Sequence, residues 1–285
     1  MARRSVLFTP GDRPEMLRKA PDSGADVLVF DLEDAVSPTR KDDARNAVRE
    51  VLADPAFDPD CEVCVRVNVE SEAIESDLST LFANGTELRL DSVMLPKTNG
   101  ADDVRNLTAL LEDYGVSLPI IALIESASGV LAAADVAARP ATDALAFGAE
   151  DLSADVGATV SDDRSEVSYA RQRVVLAAAA HDCTALDTLV TDFENEQRLR
   201  DDARRSVRLG YDGKLAIHPA QVEPINEAFT PDEDDLEWAE RVLEAKREAD
   251  AEGRGVFEVD GEMIDAPLIA QAERILERAD AAGER

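Results

Sequence analysis

The stretch Val27-Leu28-Val29-Phe30-Asp31-Leu32-Glu33-Asp34 decides how the chain folds. Its first part, Val27–Leu32, is nearly continuous apolar sequence rather than alternating, the pattern of a parallel strand covered on both faces. It then ends in carboxylates. Seven further short apolar runs recur, most of them near-continuous: Ser5–Pro10 (SVLFTP), Val63–Asn68 (VCVRVN), Ser92–Lys97 (SVMLPK), Ile120–Glu125 (IIALIE), Ala144–Gly148 (ALAFG), Thr184–Leu189 (TALDTL) and Lys214–His218 (KLAIH). Helix-like segments lie between them. Ser37-Pro38 reads as an N-cap with proline at the first helical position, ahead of a helix to about Leu52. Thr230-Pro-Asp-Glu233 reads as a capping box opening a helix to about Glu252.

Alternating strands and helices predict a parallel sheet, and eight such units fit a closed (β/α)8 TIM barrel. An open doubly wound sheet is the competing architecture. No glycine-rich dinucleotide fingerprint follows the first run, and the glycines of Gly210-Tyr-Asp-Gly213-Lys214 are too close for a phosphate loop. The reading assigns residues 1–228 to the barrel catalytic domain and 229–285 to a C-terminal helical arm or lid. In that arm Gly253-Arg-Gly255 breaks the chain, Val256–Val259 is extended, Asp260-Gly261 is a turn, and a final helix starts near Pro267.

A chain of 285 residues, 45% hydrophobic, has material for one well-buried core. Its 61 acidic and 30 basic residues leave a net charge of −31, spread along the whole length. Disorder is the first competing explanation for such charge, and the repeated apolar runs argue against it. Phosphate backbones repel such a surface, so nucleic acid is not an expected partner. Only five of the basic residues are lysines. Dispersed acid with few lysines predicts adaptation to molar salt, where counterions screen repulsion to within ~3 Å. No apolar run approaches the ~18 residues of a membrane helix. The run after Met1-Ala-Arg-Arg4 is too short for a secretory signal, so a cytoplasmic protein in a salty cytosol is expected. Cys61 and Cys64 resemble a redox or zinc pair in spacing, but no second pair with fitting spacing exists. They read as packing cysteines.

In such barrels chemistry sits at the carboxyl ends of the strands. Those ends here carry Asp31, Glu33 and Asp34, then Arg66 and Asn68, Lys97, Glu125, Glu150 and Asp151, Asp187, and His218. An apolar strand ending in a carboxylate is costly unless that carboxylate binds something. Clustered carboxylates suit a hard divalent cation such as magnesium, and Glu125 and Asp151, on adjacent strands, are the first choice of ligands. The alternative is that both acids merely favour the starts of the following helices, where Ser126 and Ser128 would cap equally well. Arg66 shares a strand face with Cys64 and Asn68, and its planar fork suits a carboxylate or enolate oxygen. A buried ion pair to Glu33 or Asp34 is the competing reading. For His218 a structural role is at least as good.

The stretches LFTPGDRPEMLRKA, VFDLEDAVSPTRKDDAR, VRVN, LPK, IESASGV, FGAEDLSADVGA, LGYDGKLAIHPAQ and FTPDEDD follow one another through almost the whole chain. In that order they resemble the citrate lyase β-subunit-like (HpcH/HpaI aldolase/citrate lyase) family, nearest to its malyl-CoA, β-methylmalyl-CoA and citramalyl-CoA lyases. The resemblance implies a metal-dependent carbon–carbon lyase on a (β/α)8 barrel, assembled as homotrimers or pairs of trimers. It implies Mg²⁺, with Mn²⁺ as a substitute, held by Glu125 and Asp151, with Glu33 and Asp34 in a water-mediated second layer. Arg66 would contact the 2-oxo acid and the thioester oxygen, while Arg13 and Lys19 would lie close to coenzyme A. The tail Phe257-Glu-Val-Asp-Gly-Glu-Met-Ile-Asp265 matches a family extension whose aspartate, here Asp265, reaches a neighbouring subunit's site. Its position two residues before Pro267 equally suits a helix N-cap.

The expected reaction cleaves, or forms by Claisen-type condensation, a 2-hydroxyacyl-CoA such as L-malyl-CoA or β-methylmalyl-CoA, with glyoxylate and acetyl-CoA or propionyl-CoA as the fragments. Citramalyl-CoA cleavage, thioester hydrolysis, an acyl-carrier-protein substrate, a CoA-independent 2-oxo acid aldolase and a silent complex-forming subunit are the alternatives.

Overall fold

A computed structural model describes residues 2–85, 87–161, 163–251 and 253–283. Met1 and Glu252, which the sequence reading used as a terminus and a helix end, lie outside the described residues. The chain divides into two compact units, Arg3–Asn226 and a second from Glu227 onward together with Ala2.

The first unit is a closed barrel of eight parallel strands in sequence order. These are β1 (Ser5–Pro10), β2 (Val27–Asp31), β3 (Glu62–Arg66), β4 (Ser92–Leu95), β5 (Ile120–Ile124), β6 (Thr142–Phe147), β7 (Thr184–Asp187) and β8 (Gly213–Ala216). Closure is made by β8 on β1, with Leu215 beside Val6. All eight apolar runs became strands, and the open-sheet alternative falls. Most strands stop one or two residues short of the run that announced them: β3 ends at Arg66 rather than Asn68. There the chain leaves the ladder, because Asp77 accepts hydrogen bonds from the Asn68 amide (2.7 Å) and side chain (2.9 Å). Asn68 therefore does not share the site with Arg66.

Helices occupy the connections: α1 (Pro14–Lys19), α2 (Lys41–Leu52), α3 (Ser71–Leu81), α4 (Ala101–Asp113), α5 (Ala127–Ala137), α6 (Ala149–Asp155), α7 (Ser168–Ala179), α8 (Glu196–Leu209) and α9 (Val222–Phe229). In α2, Ala44, Val48, Val51 and Leu52 are buried at helical spacing, while Asp42 and Asp43 stand in the first turn, where the helix dipole favours acid. Ser37 precedes a 3₁₀ turn that leads into α2, and its side chain makes no capping bond. Ser126 does cap α5, accepting from the Gly129 amide at 3.0 Å.

In the second unit, α10 (Glu233–Ala251) and α11 (Ala266–Ala282) pack with a hairpin, β9 (Phe257–Val259) and β10 (Glu262–Ile264). Val242, Ala249, Phe257, Ile264, Ala272 and Leu276 are the centre of that small core. The Asp260-Gly261 turn is present, both residues at positive φ (52° and 84°), as a two-residue hairpin loop requires. The expected capping box at Thr230 is corrected: α10 starts at Glu233, and Asp232 caps it by accepting from the Asp235 amide at 2.9 Å.

Candidate functional site

Strand alternation aims one row of side chains into the barrel. Val29, Cys64, Leu123, Ala146, Leu186 and Leu215 form its buried inner layers. Two residues further along each chain, on the same inward side, stand Asp31, Arg66, Glu125, Gly148, Thr188 and Ile217. These six, with Phe8, Glu150 and Asp151, line a cavity of about 140 Å³ at the carboxyl ends of the strands. Cys64, buried one layer down, has its thiol pushed up to about 12, chiefly by burial, and is a packing residue as expected. Cys61 and Cys183 are also free thiols.

The Arg66 guanidinium grips Asp31 with two nitrogens, Nε to Oδ1 at 2.7 Å and Nη2 to Oδ2 at 2.5 Å. Its Nη1 reaches Glu33 Oε2 at 3.1 Å, and the group stands 4.8 Å from the centre of the Phe8 ring. Burial works against that charge, but the pairing with Asp31 and Glu33 outweighs it and raises the Arg66 pKa. The ion pair foreseen for Arg66 thus exists, with Asp31 as its main partner and not Asp34. Asp31 also accepts the amides of Glu33 and Ala35, which curls the chain over the site.

Glu33 is buried and bridges Arg66 to Lys97, whose Nζ donates to Oε1 at 2.7 Å. Asp34 is more exposed, 3.5 Å from the same ammonium. Burial opposes the Lys97 charge, yet Glu33, then Asp34 and Glu125, push its pKa up to about 12. Lys97 sits at φ +46°, a left-handed conformation rare outside glycine, and this turn aims its amide at Glu125 Oε1, 2.8 Å away. Glu150 is paired by Arg164 at 2.9 Å.

Two carboxylates in the cavity are left over. Among the described residues, no cation comes within ion-pair distance of Glu125 or Asp151. Glu125 is 4% exposed, and its pKa is pushed up to about 7 by burial, with Asp151 and Glu33 adding repulsion against the pull of the Lys97 amide and Arg66. Gly148 cradles it: a Cβ there would stand 2.6 Å from the Glu125 Cβ and 2.7 Å from Oε2. Asp151 enters from the first turn of α6. Two carboxylates without a paired cation, lining one cavity, fit a hard divalent cation, which takes one or two carboxylates and leaves other positions to water and substrate. Among the described residues, no group of three or more His, Cys, Asp and Glu side chains is placed to hold a metal ion.

The remaining sequence candidates lie elsewhere. Arg13 and Lys19 are exposed before and at the end of α1 and do not line the cavity. His218 accepts the Ala220 amide at 3.1 Å and stacks on Phe193 at 4.8 Å, a structural role. Asp187, read as one more strand-end acid, points outward from the barrel into Arg171. Asp265 belongs to the second unit. It is exposed, it occupies the N-cap position of α11, and its carboxylate makes no capping bond there.

The sequence reading gave no role to Asp31 as the Arg66 partner, Lys97, Gly148 or Arg164. Parity with Val29 marks Asp31 and parity with Ala146 marks Gly148. The other two act through positive-φ backbone that their residue types do not announce.

A model of the HpcH/HpaI aldolase/citrate lyase family matches residues 4–219. The chain is 35% identical to the mitochondrial citramalyl-CoA lyase of Mus musculus, covering 99% of this chain and 88% of that one. It is 36% identical to a (3S)-malyl-CoA thioesterase of Cereibacter sphaeroides, over 98% and 95% of the two chains. Among solved structures, CitE of Mycobacterium tuberculosis in complex with magnesium, acetoacetate and coenzyme A superposes with a TM-score of 0.81 at 36% identity, covering 98% of each chain. The chain belongs to the HpcH/HpaI aldolase/citrate lyase family.

Proposed function

We propose that this family member is a Mg²⁺-dependent carbon–carbon lyase that cleaves, or forms by Claisen-type condensation, a 2-hydroxyacyl thioester of free coenzyme A. L-Malyl-CoA and β-methylmalyl-CoA are the preferred substrates, with glyoxylate and acetyl-CoA or propionyl-CoA as products; citramalyl-CoA is the alternative. The observation that carries this reading is the pair of carboxylates without a paired cation, Glu125 and Asp151, in one cavity with an arginine that Asp31 holds in a fixed fork. The relatives named for CoA thioesters and the CitE complex with magnesium and coenzyme A support it.

Glu125 and Asp151 would hold Mg²⁺, which as a Lewis acid polarises the 2-oxo acid carbonyl. The chain's own residues do the rest. Glu33 and Asp34 orient the surroundings of that cation through Lys97 and Arg66. Of the five guanidinium N–H groups of Arg66, three face Asp31 and Glu33, leaving two for the thioester oxygen as it gains enolate charge. Asp265 of a neighbouring copy, whose carboxylate its own helix does not use, takes the α-proton of the acyl-CoA in condensation and returns it in cleavage. Covering the site with the 229–285 arm strips water from that carboxylate and raises its basicity. Arg13 and Lys19 are the proposed contacts for coenzyme A, and trimers or hexamers the proposed assembly. Mn²⁺ is a proposed substitute metal.

A thioesterase relative at 36% identity favours a second reading, in which hydrolysis follows condensation. Both are tested by one product assay in molar KCl, offering malyl-CoA, β-methylmalyl-CoA and citramalyl-CoA separately with and without Mg²⁺. Lyase activity gives Mg²⁺-dependent acetyl-CoA or propionyl-CoA with glyoxylate, or acetyl-CoA with pyruvate; hydrolysis releases free thiol. No cleavage of any of the three by folded protein would sink the reading in favour of an acyl-carrier-protein substrate or a free-acid aldolase. High-salt adaptation and a cytoplasmic location remain part of the proposal; among the described residues no helix is long and apolar enough to cross a membrane.

A further inference from the structure

Three acids, Glu125, Glu150 and Asp151, line one side of the cavity, yet only two lack a cation. The third is occupied by Arg164, which arrives from the segment between α6 and α7. Arg164 is 5% exposed and sits in the left-handed region at φ +51° and ψ 37°. Its Nη2 donates to Glu150 Oε1 at 2.9 Å and its Nη1 to the Leu189 carbonyl at 3.0 Å. Both partners line the cavity. The wall it leans on is itself fixed, because the carbonyls on either side of Leu189 are also held: Thr188 by Lys214 Nζ at 2.6 Å and Val190 by Gln221 Nε2 at 2.8 Å.

Glu150 and Asp151 both stand in the first turn of α6, and both line the cavity. The number of carboxylates offered decides which hard cation a site prefers. Ca²⁺ accepts six to eight oxygens in loose geometry, whereas Mg²⁺ demands a tight octahedron, gives up its water reluctantly and is served by one or two carboxylates. A buried arginine is suited to hold one acid aside permanently, since it does not deprotonate and its fork bridges two acceptors.

We propose that Arg164 is a positioning residue whose guanidinium holds Glu150 away from the cation, so that the cavity offers two carboxylates, Glu125 and Asp151, instead of three. This rests on the divalent-cation reading above. Arg164 thereby sets the metal preference of the site without touching metal or substrate.

The test compares the full-length parent with Arg164→Gln, Glu150→Gln and the double variant. Mg²⁺ and Ca²⁺ binding are measured by calorimetry, and circular dichroism confirms the fold. In Arg164→Gln the freed Glu150 joins the site, and the Ca²⁺-to-Mg²⁺ affinity ratio rises at least about tenfold. The double variant returns the ratio to the parental value, a rescue that a purely structural Arg164 would not show. Glu150→Gln alone, a change at a partly exposed side chain already turned from the cation, keeps Mg²⁺ binding. A parental ratio in folded Arg164→Gln, no rescue in the double variant, or loss of Mg²⁺ binding in Glu150→Gln each overturns this inference alone. Absence of divalent binding in the parent overturns the cation reading and this inference with it.

Discussion

The barrel carries two clusters of acid and base within one unit, and they end in opposite states. One lies on the outer side of the barrel, where Asp187 of β7 and Lys214 of β8 face α7 and α8. There Arg171 Nε donates to both Asp187 oxygens at 2.9 and 3.0 Å, and Arg171 Nη1 meets Asp202 at 3.2 Å. Lys214 Nζ donates to Asp202 at 2.5 Å and the Ser206 hydroxyl bonds Asp187 Oδ2 at the same distance. Every carboxylate has a cation. The other cluster is the cavity, where Asp31, Glu33 and Glu150 are paired and Glu125 and Asp151 are not. A saturated cluster behaves as a cross-link between barrel and helices. An unsaturated one leaves carboxylates available to a ligand, the pattern of a functional site.

The sharpest way to break that distinction is to remove one acid from the cavity. Glu125→Gln is expected to lower Mg²⁺-dependent turnover by about 10²- to 10³-fold, a magnitude typical of losing one electrostatic contact to the transition state. Metal-free, the variant should be at least as stable as the parent in urea unfolding, since a buried charge without a cation has been deleted. A variant that keeps turnover, or one markedly destabilised, would mean that Glu125 belongs to the structural class. Lys214→Met is the mirror experiment. Removing one partner strands Asp202 and Asp187 with Arg171 alone, so unfolding stability should fall by about 3 kcal/mol. Unchanged stability would show that the outer cluster is not the cross-link described.

What could be read from the sequence follows the same divide. The eight strands were legible because parallel strands buried on both faces leave apolar runs of distinctive length, and Glu125 and Asp151 were legible because they follow such runs. Asp187 looked identical by that criterion. Only counting in twos separates them: Glu125 lies two residues after the inward Leu123, whereas Asp187 lies one residue after the inward Leu186. Arg66 was recognised as polar among apolar neighbours, but its partner Asp31 was passed over for Glu33 and Asp34, although Asp31 is on the inward parity with Val29. The pairing of Lys97, itself legible as a strand-end residue, and the part played by Arg164 were beyond reach. Each acts from a left-handed backbone conformation that lysine and arginine seldom adopt.

The two clusters should also respond to pH with opposite signs. Glu125 titrates at about 7 in the folded chain and near 4.5 unfolded. Folding is therefore favoured while the group is protonated, and metal-free protein should lose about 3 kcal/mol as pH rises through the window from about 4.5 to 7. Asp202 is pulled the other way: burial opposes its charge, but Lys214 and Arg171 lower it to about 2 from an ordinary 3.8. Its stabilisation is complete above about 4 and disappears as pH falls through 2, a loss of about 2 kcal/mol. Urea midpoints measured across pH in chelator, for the parent and Glu125→Gln, separate the two arms. The upper arm should vanish in Glu125→Gln and the lower arm should persist. An upper arm that survives the substitution would assign it to another group.

Salt gives the smallest and most discriminating contrast. A net charge of −31 spread over the chain repels itself, and raising KCl from 0.1 M to 2 M shortens the screening length from about 10 Å to below about 3 Å. Parent stability should therefore rise with salt, and its structure should weaken in dilute buffer. The deficit of Lys214→Met should hardly move, by less than about 0.5 kcal/mol, because Lys214 and Asp187 are fully buried and mobile ions do not screen buried pairs well. If that deficit shrinks in step with salt, the outer cluster is solvated and its resemblance to a cross-link fails. If the parent is indifferent to salt, the acidic surface is not an adaptation to high ionic strength, and the five lysines need another account. Three of the five, Lys41, Lys97 and Lys214, donate to carbonyls or carboxylates at 2.5 to 2.7 Å. At those places a compact charge on a flexible stem reaches its acceptors.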